Sequence, residues 1–251
     1  MSRAVVVVPC WNEARRLDAE AFLRFDARGR DVRFLFVDDG STDGTRETLA
    51  RSALADPARF QVLVLERNRG KAEAVRRGML QAFASGADYA GYWDADLATP
   101  LEEIPRFLEL LDRRPDLEMV FGSRVALLGR SIERRALRHY TGRVFATAVS
   151  AALRLPVYDT QCGAKLFRNT PEVEALFAEP FGSRWIFDVE IVARFAQARR
   201  ATSLPAPREA IYELPLDRWR DVAGSRIGVL DYPRAVFQLV GIWWKYLRRS
   251  P

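Results

Sequence analysis

The chain has 251 residues, 49% hydrophobic and 29% charged, with 39 Lys+Arg against 33 Asp+Glu. That balance fits one globular domain with a substantial core and excludes a disordered tail or a collagen-like repeat. The single histidine, His139, excludes metal sites built on several imidazoles, and the two distant cysteines, Cys10 and Cys162, make no disulfide framework and point to a reducing compartment.

Apolar runs alternate with amphipathic stretches through the first half. The pattern predicts strands over Ala4–Pro9, Val32–Val37, Gln61–Leu65, Tyr89–Trp93 and Met119–Phe121, with helices over about 13–27, 43–54, 71–85 and 101–113. Strands alternating with helices give a mostly parallel sheet covered on both faces, whose ligands bind beyond the carboxyl ends of the strands. After residue 125 the rhythm changes. Ser131–Leu153 reads as one long helix, basic at its start through Arg130, Arg134, Arg135, Arg138 and Arg143. A loop over 156–163, a helix near 187–199 and a short strand over Glu209–Leu214 follow. The last helix, 228–249, is amphipathic and ends in a mixture of Trp243, Trp244 and Tyr246 with Lys245, Arg248 and Arg249. The predicted organisation is a catalytic domain over 1–227 and a helical extension over 228–251.

Net charge +6 favours anionic partners: nucleotide phosphates, nucleic acid or an anionic membrane surface. Met1-Ser2-Arg3 leads straight into Ala4–Val8, too short for the apolar core of a secretory signal. No segment reaches the roughly 18 consecutive apolar residues of a spanning helix. A cytoplasmic protein is expected on those grounds.

Three strand ends carry polar residues in a pattern: Pro9-Cys10-Trp11-Asn12-Glu13, Val37-Asp38-Asp39-Gly40-Ser41 and Trp93-Asp94-Ala95-Asp96. Asp94 and Asp96 flank a small residue after a buried strand, so both can address one divalent cation that also meets a diphosphate. Asp38 and Asp39 suit either a turn with a helix cap or acceptance of hydrogen bonds from a base and a ribose. Other phosphate devices are absent. Gly70-Lys71 is followed by Ala72 and lacks the earlier glycine of a P-loop, no Gly-x-Gly-x-x-Gly follows the first strand, and no Gly-x-Ser-x-Gly elbow occurs. No helix-turn-helix, zinc finger or RNP signature supports a nucleic-acid partner.

The set Pro9-x-x-Asn12-Glu13, Val37-Asp38-Asp39-Gly40-Ser41-x-Asp43, Asn68-x-Gly70-Lys71 and Asp94-Ala95-Asp96 resembles the inverting family 2 glycosyltransferases of GT-A fold. Further motifs are similar to the dolichyl-phosphate β-glucosyltransferase branch. They are Gly122-Ser123-Arg124, Arg130-Ser131-x-x-Arg134, Asp159-Thr160-Gln161-Cys162-Gly163-x-Lys165, Trp185-x-Phe187-Asp188-Val189-Glu190 and Gly224-Ser225-Arg226. The resemblance spans residues 4–230. Ala164 departs from the Phe usual in that branch, and Arg226 from its usual Lys.

The resemblance implies an α/β GT-A enzyme that moves a hexose, glucose from UDP-glucose, onto a polyprenyl phosphate with Mg²⁺ or Mn²⁺ held by Asp94 and Asp96. Another nucleotide sugar such as GDP-mannose, a soluble acceptor, or a non-catalytic nucleotide-sugar-binding protein are the alternatives. Pro9, Asn12, Glu13, Asp38, Asp39, Lys71 and Ala95 would serve the donor, with Asp39 accepting from the uracil N–H and Asp38 supporting the loop. Arg124, Arg130, Ser131, Arg134, Lys165 and Arg226 would meet the acceptor phosphate. Gln161 and Asp188 complete the expected catalytic set. The acceptor oxygen is already anionic at pH 7, so the chemistry needs no strong base, which suits a chain with one histidine. Of only three lysines, Lys71 and Lys165 both fall in these motifs. Cys162 reads as a packed side chain. Peripheral contact with the cytoplasmic face of an anionic membrane is expected from the terminal aromatic and basic residues.

Overall fold

The computed structural model describes residues 2–133, 136–200, 202–222 and 231–248, apart from the side chains of 136–141 and 231–233. In chain order the first half runs β1 (Arg3–Cys10), α1 (Ala19–Arg24), β2 (Asp31–Asp38), α2 (Thr45–Ala55), β3 (Phe60–Val64), α3 (Lys71–Ala84), β4 (Tyr89–Trp93), α4 (Ile104–Arg113) and β5 (Met119–Ser123). The second half runs β6 (Ser131–Glu133), α5 (Ala136–Leu153), β7 (Ala164–Arg168), α6 (Pro171–Ala178), α7 (Phe187–Ala198), α8 (Pro207–Ala210), β8 (Ile211–Pro215), β9 (Arg218–Arg220) and α9 (Asp231–Ile242).

The valines of β1 are buried whichever way they point, as an interior parallel strand requires. Val5 and Val7, with Leu35 and Val37 of β2, pack on the layer that holds α3, α6 and α7. Ala4, Val6 and Val8, with Phe34 and Phe36, pack on the layer that holds α1, α2 and α4. Edge contacts among Phe22, Phe34 and Phe36, with centroids 5.1–5.2 Å from Phe22, tie α1 to the sheet.

The main sheet has seven strands in the order β3-β2-β1-β4-β7-β5-β8. Successive strands step one way from β1 to β3 and the other way to β4, so the topological switch point lies between β1 and β4. β7 runs antiparallel to both β4 and β5. Its beginning therefore lies at the edge where β4 and β5 end, and the segment that leads into it is delivered to the switch point. A second, two-stranded sheet pairs β6 with β9.

The α/β architecture with a mostly parallel sheet agrees with the expected fold class, but several elements differ. The helix expected over 13–27 is confined to α1, because Asp18 caps it by accepting from the Ala21 N–H at 3.0 Å. Before it, Glu13–Leu17 form a turn in which the Arg16 and Leu17 amides donate to the Glu13 carbonyl at 2.8 Å. The helix expected from Ser131 starts at Ala136, since Ser131–Glu133 is drawn into a strand beside Arg218–Arg220. β7 and α6 escape the pattern reading, as a lysine at the second position of the strand interrupts its apolar run. α9 and the π-helical turn Trp243–Leu247 bury Ala235, Leu239, Ile242 and Tyr246 in the core, while Val236, Phe237, Val240, Trp243 and Trp244 stay exposed.

Candidate active site

Two loops close the β1–β2 side. Asn12 adopts a left-handed φ of 50°, which asparagine tolerates better than most residues. Its side-chain oxygen accepts from the Thr42 N–H at 2.8 Å, and its own N–H donates to Ser41 Oγ at 3.0 Å. The Glu13 N–H donates to Thr45 Oγ1 at 2.7 Å. Asp38 is fully buried and holds its own loop, accepting from the Ser41 amide at 3.0 Å and from Arg46 Nε at 2.9 Å. Asp39 accepts from the Arg69 and Gly70 amides, each at 2.8 Å, and so binds the loop before α3 to the end of β2. Burial raises its carboxyl above the usual range, against the lowering by those two amides. Gly40, at φ 64°, makes this approach possible: a Cβ there would lie 2.5 Å from the Arg67 carbonyl carbon.

The acidic loop leaves β4 on the other side of the switch point. Asp94 Oδ1 meets Lys71 Nζ at 2.5 Å, at the first residue of α3. Asp96 Oδ2 meets an Arg16 terminal nitrogen at 3.1 Å, while its Oδ1 accepts from the Ala98 amide at 3.1 Å. Leu97 between them takes a left-handed φ of 53°, a strained turn for a branched side chain. Arg16 Nε is also 3.6 Å from Glu13 Oε2. Burial, followed by the charge of Asp94, raises the Asp96 carboxyl, and Arg16 and Lys71 act in the opposite sense. Burial alone would lower the Lys71 ammonium, but Asp94, Asp188 and Asp96 hold it above its ordinary value.

Beneath this loop, the motif leading into β7 supplies a floor. The Asp94 amide donates to the Gly163 carbonyl at 2.9 Å, and a Cβ on Gly163 would lie 1.8 Å from Asp94 Oδ2. Only glycine leaves room for the Asp94 carboxylate in this pose. Lys165 is completely buried, with Nζ on Asp188 Oδ1 at 2.6 Å and on the Cys162 carbonyl at 2.5 Å. Rings of Tyr92 and Phe121 lie 5.3 and 5.2 Å from the ammonium, and the Tyr92 hydroxyl donates to the same Asp188 oxygen. Arg124 grips Asp159 with a two-pronged fork at 2.6 and 2.7 Å. Asp159 and Tyr158 in turn donate their amides to Glu213 at 2.6 and 2.8 Å.

The contacts of three expected site residues are internal. Lys165 is a fully buried cation matched to Asp188. Arg124 has its fork on Asp159, and Asp188 is the buried partner of Lys165 and Tyr92. Ala95 turns its methyl into the core, so only its backbone faces the loop. Arg130 pairs with Asp217 and donates to the Pro215 carbonyl at 3.3 Å. Ser131, on β6, lines an open groove of about 700 Å³ together with Leu97, Ala98 and Trp219. Pro9 is the penultimate residue of β1, beside Val37. Gln161 follows Asp159 and precedes Gly163 in the chain, and its Nε2 is buried with no hydrogen-bond partner among the described residues. Arg134 and Arg226 lie outside the described residues, as does the side chain of His139. Cys162 is packed, and burial pushes its thiol up to about 11, the state of an unreactive side chain.

The residue missed in the sequence is Arg16. Its signal was the Glu13-x-x-Arg16 spacing, hidden because that stretch reads as helix. Among the described residues no cluster of three His, Cys, Asp or Glu side chains forms a metal cage. Asp94 and Asp96 offer hard oxygens from one loop, a donor set suited to an ion that takes its other ligands from phosphates and water.

Residues 5–172 match the family described as Glycosyl transferase family 2. A dolichyl-phosphate beta-glucosyltransferase of Dictyostelium discoideum is 30% identical over 261 residues, covering 95% of this chain and 75% of its own. The Drosophila melanogaster protein of the same name is 32% identical over 265 residues, covering 96% of this chain and 74% of its own. Among solved structures, glucosyl-3-phosphoglycerate synthase from Mycobacterium tuberculosis, in complex with Mn²⁺, UDP and glucosyl-3-phosphoglycerate, matches with a TM-score of 0.67 at 20% identity, over 97% of this chain and 80% of that one. With an acidic pair at the switch point of this sheet and a family match running from β1 into α6, the chain belongs to glycosyl transferase family 2.

Proposed function

We propose that this enzyme transfers glucose from UDP-glucose to a polyprenyl phosphate with inversion, using Mg²⁺ or Mn²⁺. The observation that carries the reading is the Asp94–Asp96 pair, solvent-reachable at the switch point and flanked by Lys71 and Arg16. The names of the two relatives support glucose and a lipid phosphate, and the Mycobacterium structure, crystallised with UDP and Mn²⁺, supports the nucleotide and the ion.

A divalent ion held by Asp94 and Asp96 would neutralise charge on the departing diphosphate. Lys71 adds a cation on the same side, positioned by the first turn of α3. Pro9, Asn12, Glu13 and Asp39 wall the nucleoside end, and Asp38 keeps that wall in place through Ser41 and Arg46. Gln161 supplies a buried amide donor to the reacting groups. The acceptor phosphate would be met by Arg134 and Arg226, with Arg130 and Ser131 beside the groove that continues from Leu97. Lys165, Asp188, Arg124 and Asp159 hold the floor on which the acidic loop rests.

No helix among the described residues is long and apolar enough to cross a membrane. The exposed Phe237, Trp243 and Trp244, with Lys245 and Arg248 alongside, support peripheral contact with an anionic bilayer. Flotation with anionic liposomes at low and high salt tests that contact, and absence of binding in both would remove it. The reaction is tested with a panel of nucleotide sugars, Mn²⁺ or Mg²⁺ and polyprenyl phosphate, read by product mass. Glucosyl-phosphoprenol from UDP-glucose is expected. Product from GDP-mannose alone, or transfer to soluble acceptors alone, would overturn the assignment.

A further inference from the structure

The ion pairs of this site fall into two kinds. Lys165–Asp188 and Arg124–Asp159 are closed, with side-chain exposures of 0% and 7%, and of 16% and 6%. Lys71–Asp94 and Arg16–Asp96 are open, at 39% and 35%, and at 25% and 25%. In the open pairs each acidic residue has an anchor other than its cation. Asp96 Oδ1 accepts from the Ala98 amide, and Asp94 is tied through its own amide, which donates to the Gly163 carbonyl at 2.9 Å. The cations can leave while the carboxylates stay.

We infer that Arg16 and Lys71 are exchangeable counter-ions of Asp94 and Asp96, which couple binding of the divalent ion to binding of the diphosphate. The inference rests on the donor-site reading above and adds a role for Arg16. A divalent ion competes with Arg16 and Lys71 for the same oxygens and repels both at contact distance. Among the described residues, the carboxylates of Glu13, Asp94 and Asp96 face the cations of Arg16 and Lys71. Arrival of the ion alone adds positive charge beside Arg16 and Lys71. A diphosphate arriving with it offsets that charge and gives the displaced guanidinium and ammonium new oxygens, for which the planar fork of Arg16 is well shaped. Ion and diphosphate then each raise the affinity of the other by the same factor.

The test is Mn²⁺ binding, read from the electron paramagnetic resonance signal of the free ion, with and without UDP. It is run on the wild type, on Arg16→Gln with Lys71→Gln, and on Asp94→Asn with Asp96→Asn. In the wild type UDP should tighten Mn²⁺ binding by at least about tenfold. In the Arg16/Lys71 variant Mn²⁺ alone should bind several-fold more tightly than to the wild type, and the gain from UDP should shrink to about threefold or less. Unchanged or weaker Mn²⁺ binding without UDP in that variant, or coupling as large as in the wild type, would overturn the exchange. Mn²⁺ binding that persists in the Asp94/Asp96 variant would overturn the donor-site reading itself. Circular dichroism of each variant separates these outcomes from misfolding.

Discussion

Lys71 and Lys165 each face a carboxylate at the same edge of the sheet, yet their settings are opposite. Lys165 sits inside a central strand, with aromatic rings on its flanks and no exposure, and its ammonium pairs with the Asp188 carboxylate. Lys71 opens a helix at the rim and keeps about two fifths of its side chain in solvent. The closed pair fixes where the loop goes, and the open pair is what the loop offers to a ligand. A charged residue in a motif is therefore not by that fact a substrate contact. Burial decides which of the two roles it takes.

The comparison can be broken most severely at Lys165. Lys165→Met leaves the Asp188 carboxylate buried without its partner and should cost about 3–5 kcal/mol of stability, measured by urea unfolding. A loss below about 1 kcal/mol would mean that the pair is not closed. At the rim the effect should appear in rate and not in stability. Asp96→Asn should lower turnover by about 10²–10³-fold, with an unfolding midpoint equal to or above that of the wild type. Gly163→Ala joins the two regions: the added methyl displaces Asp94 from its floor. A rate loss of about 10²-fold with a stability cost of about 1–3 kcal/mol is expected.

Arg124→Lys replaces a fork with a point charge opposite Asp159 and should cost about 1–2 kcal/mol, again in urea. The smallest effect belongs to an ordinary three-residue ion cluster on α3. Arg76 and Arg77 hold the Glu73 carboxyl at about 2. A depressed carboxyl contributes stability that is full above the unfolded value and fades as pH falls from about 4.3 towards that lower figure. Glu73→Gln should therefore cost no more than about 1 kcal/mol at pH 7, nothing near pH 2, and leave turnover unchanged. Unfolding curves across that range, with rates at pH 7, check both halves.

Much of the first half was legible because its signals are local. The valine run of β1, the alternation of strand and helix, and the Asp-x-Asp after a buried strand all lie within short windows. The roles in the second half depend on β7, whose sequence hides a buried lysine in a strand, and nothing within reach of Lys165 along the chain announces that Asp188 will cover it. Arg16 was obscured for the opposite reason. Its surroundings carry helix-like periodicity, but Asp18 delays the helix and leaves Arg16 in a turn that reaches across to Asp96. Glu213 gave no signal, since its task is to hold two backbone amides of a distant loop.

The antiparallel course of β7 also bears on how the molecule is made. Residues Tyr89–Trp93 pair with Ala164–Arg168, so on the growing chain β4 remains an unpaired edge until the whole of the intervening segment has emerged. An apolar edge of that kind is prone to pair with another nascent chain, and its closure depends on a long-range contact, which forms slowly. The acidic loop acquires its glycine floor in the same event. Competence for catalysis is thereby tied to one late strand insertion, and a chain interrupted before residue 168 would hold the residues of the donor pocket without the surface that aims them.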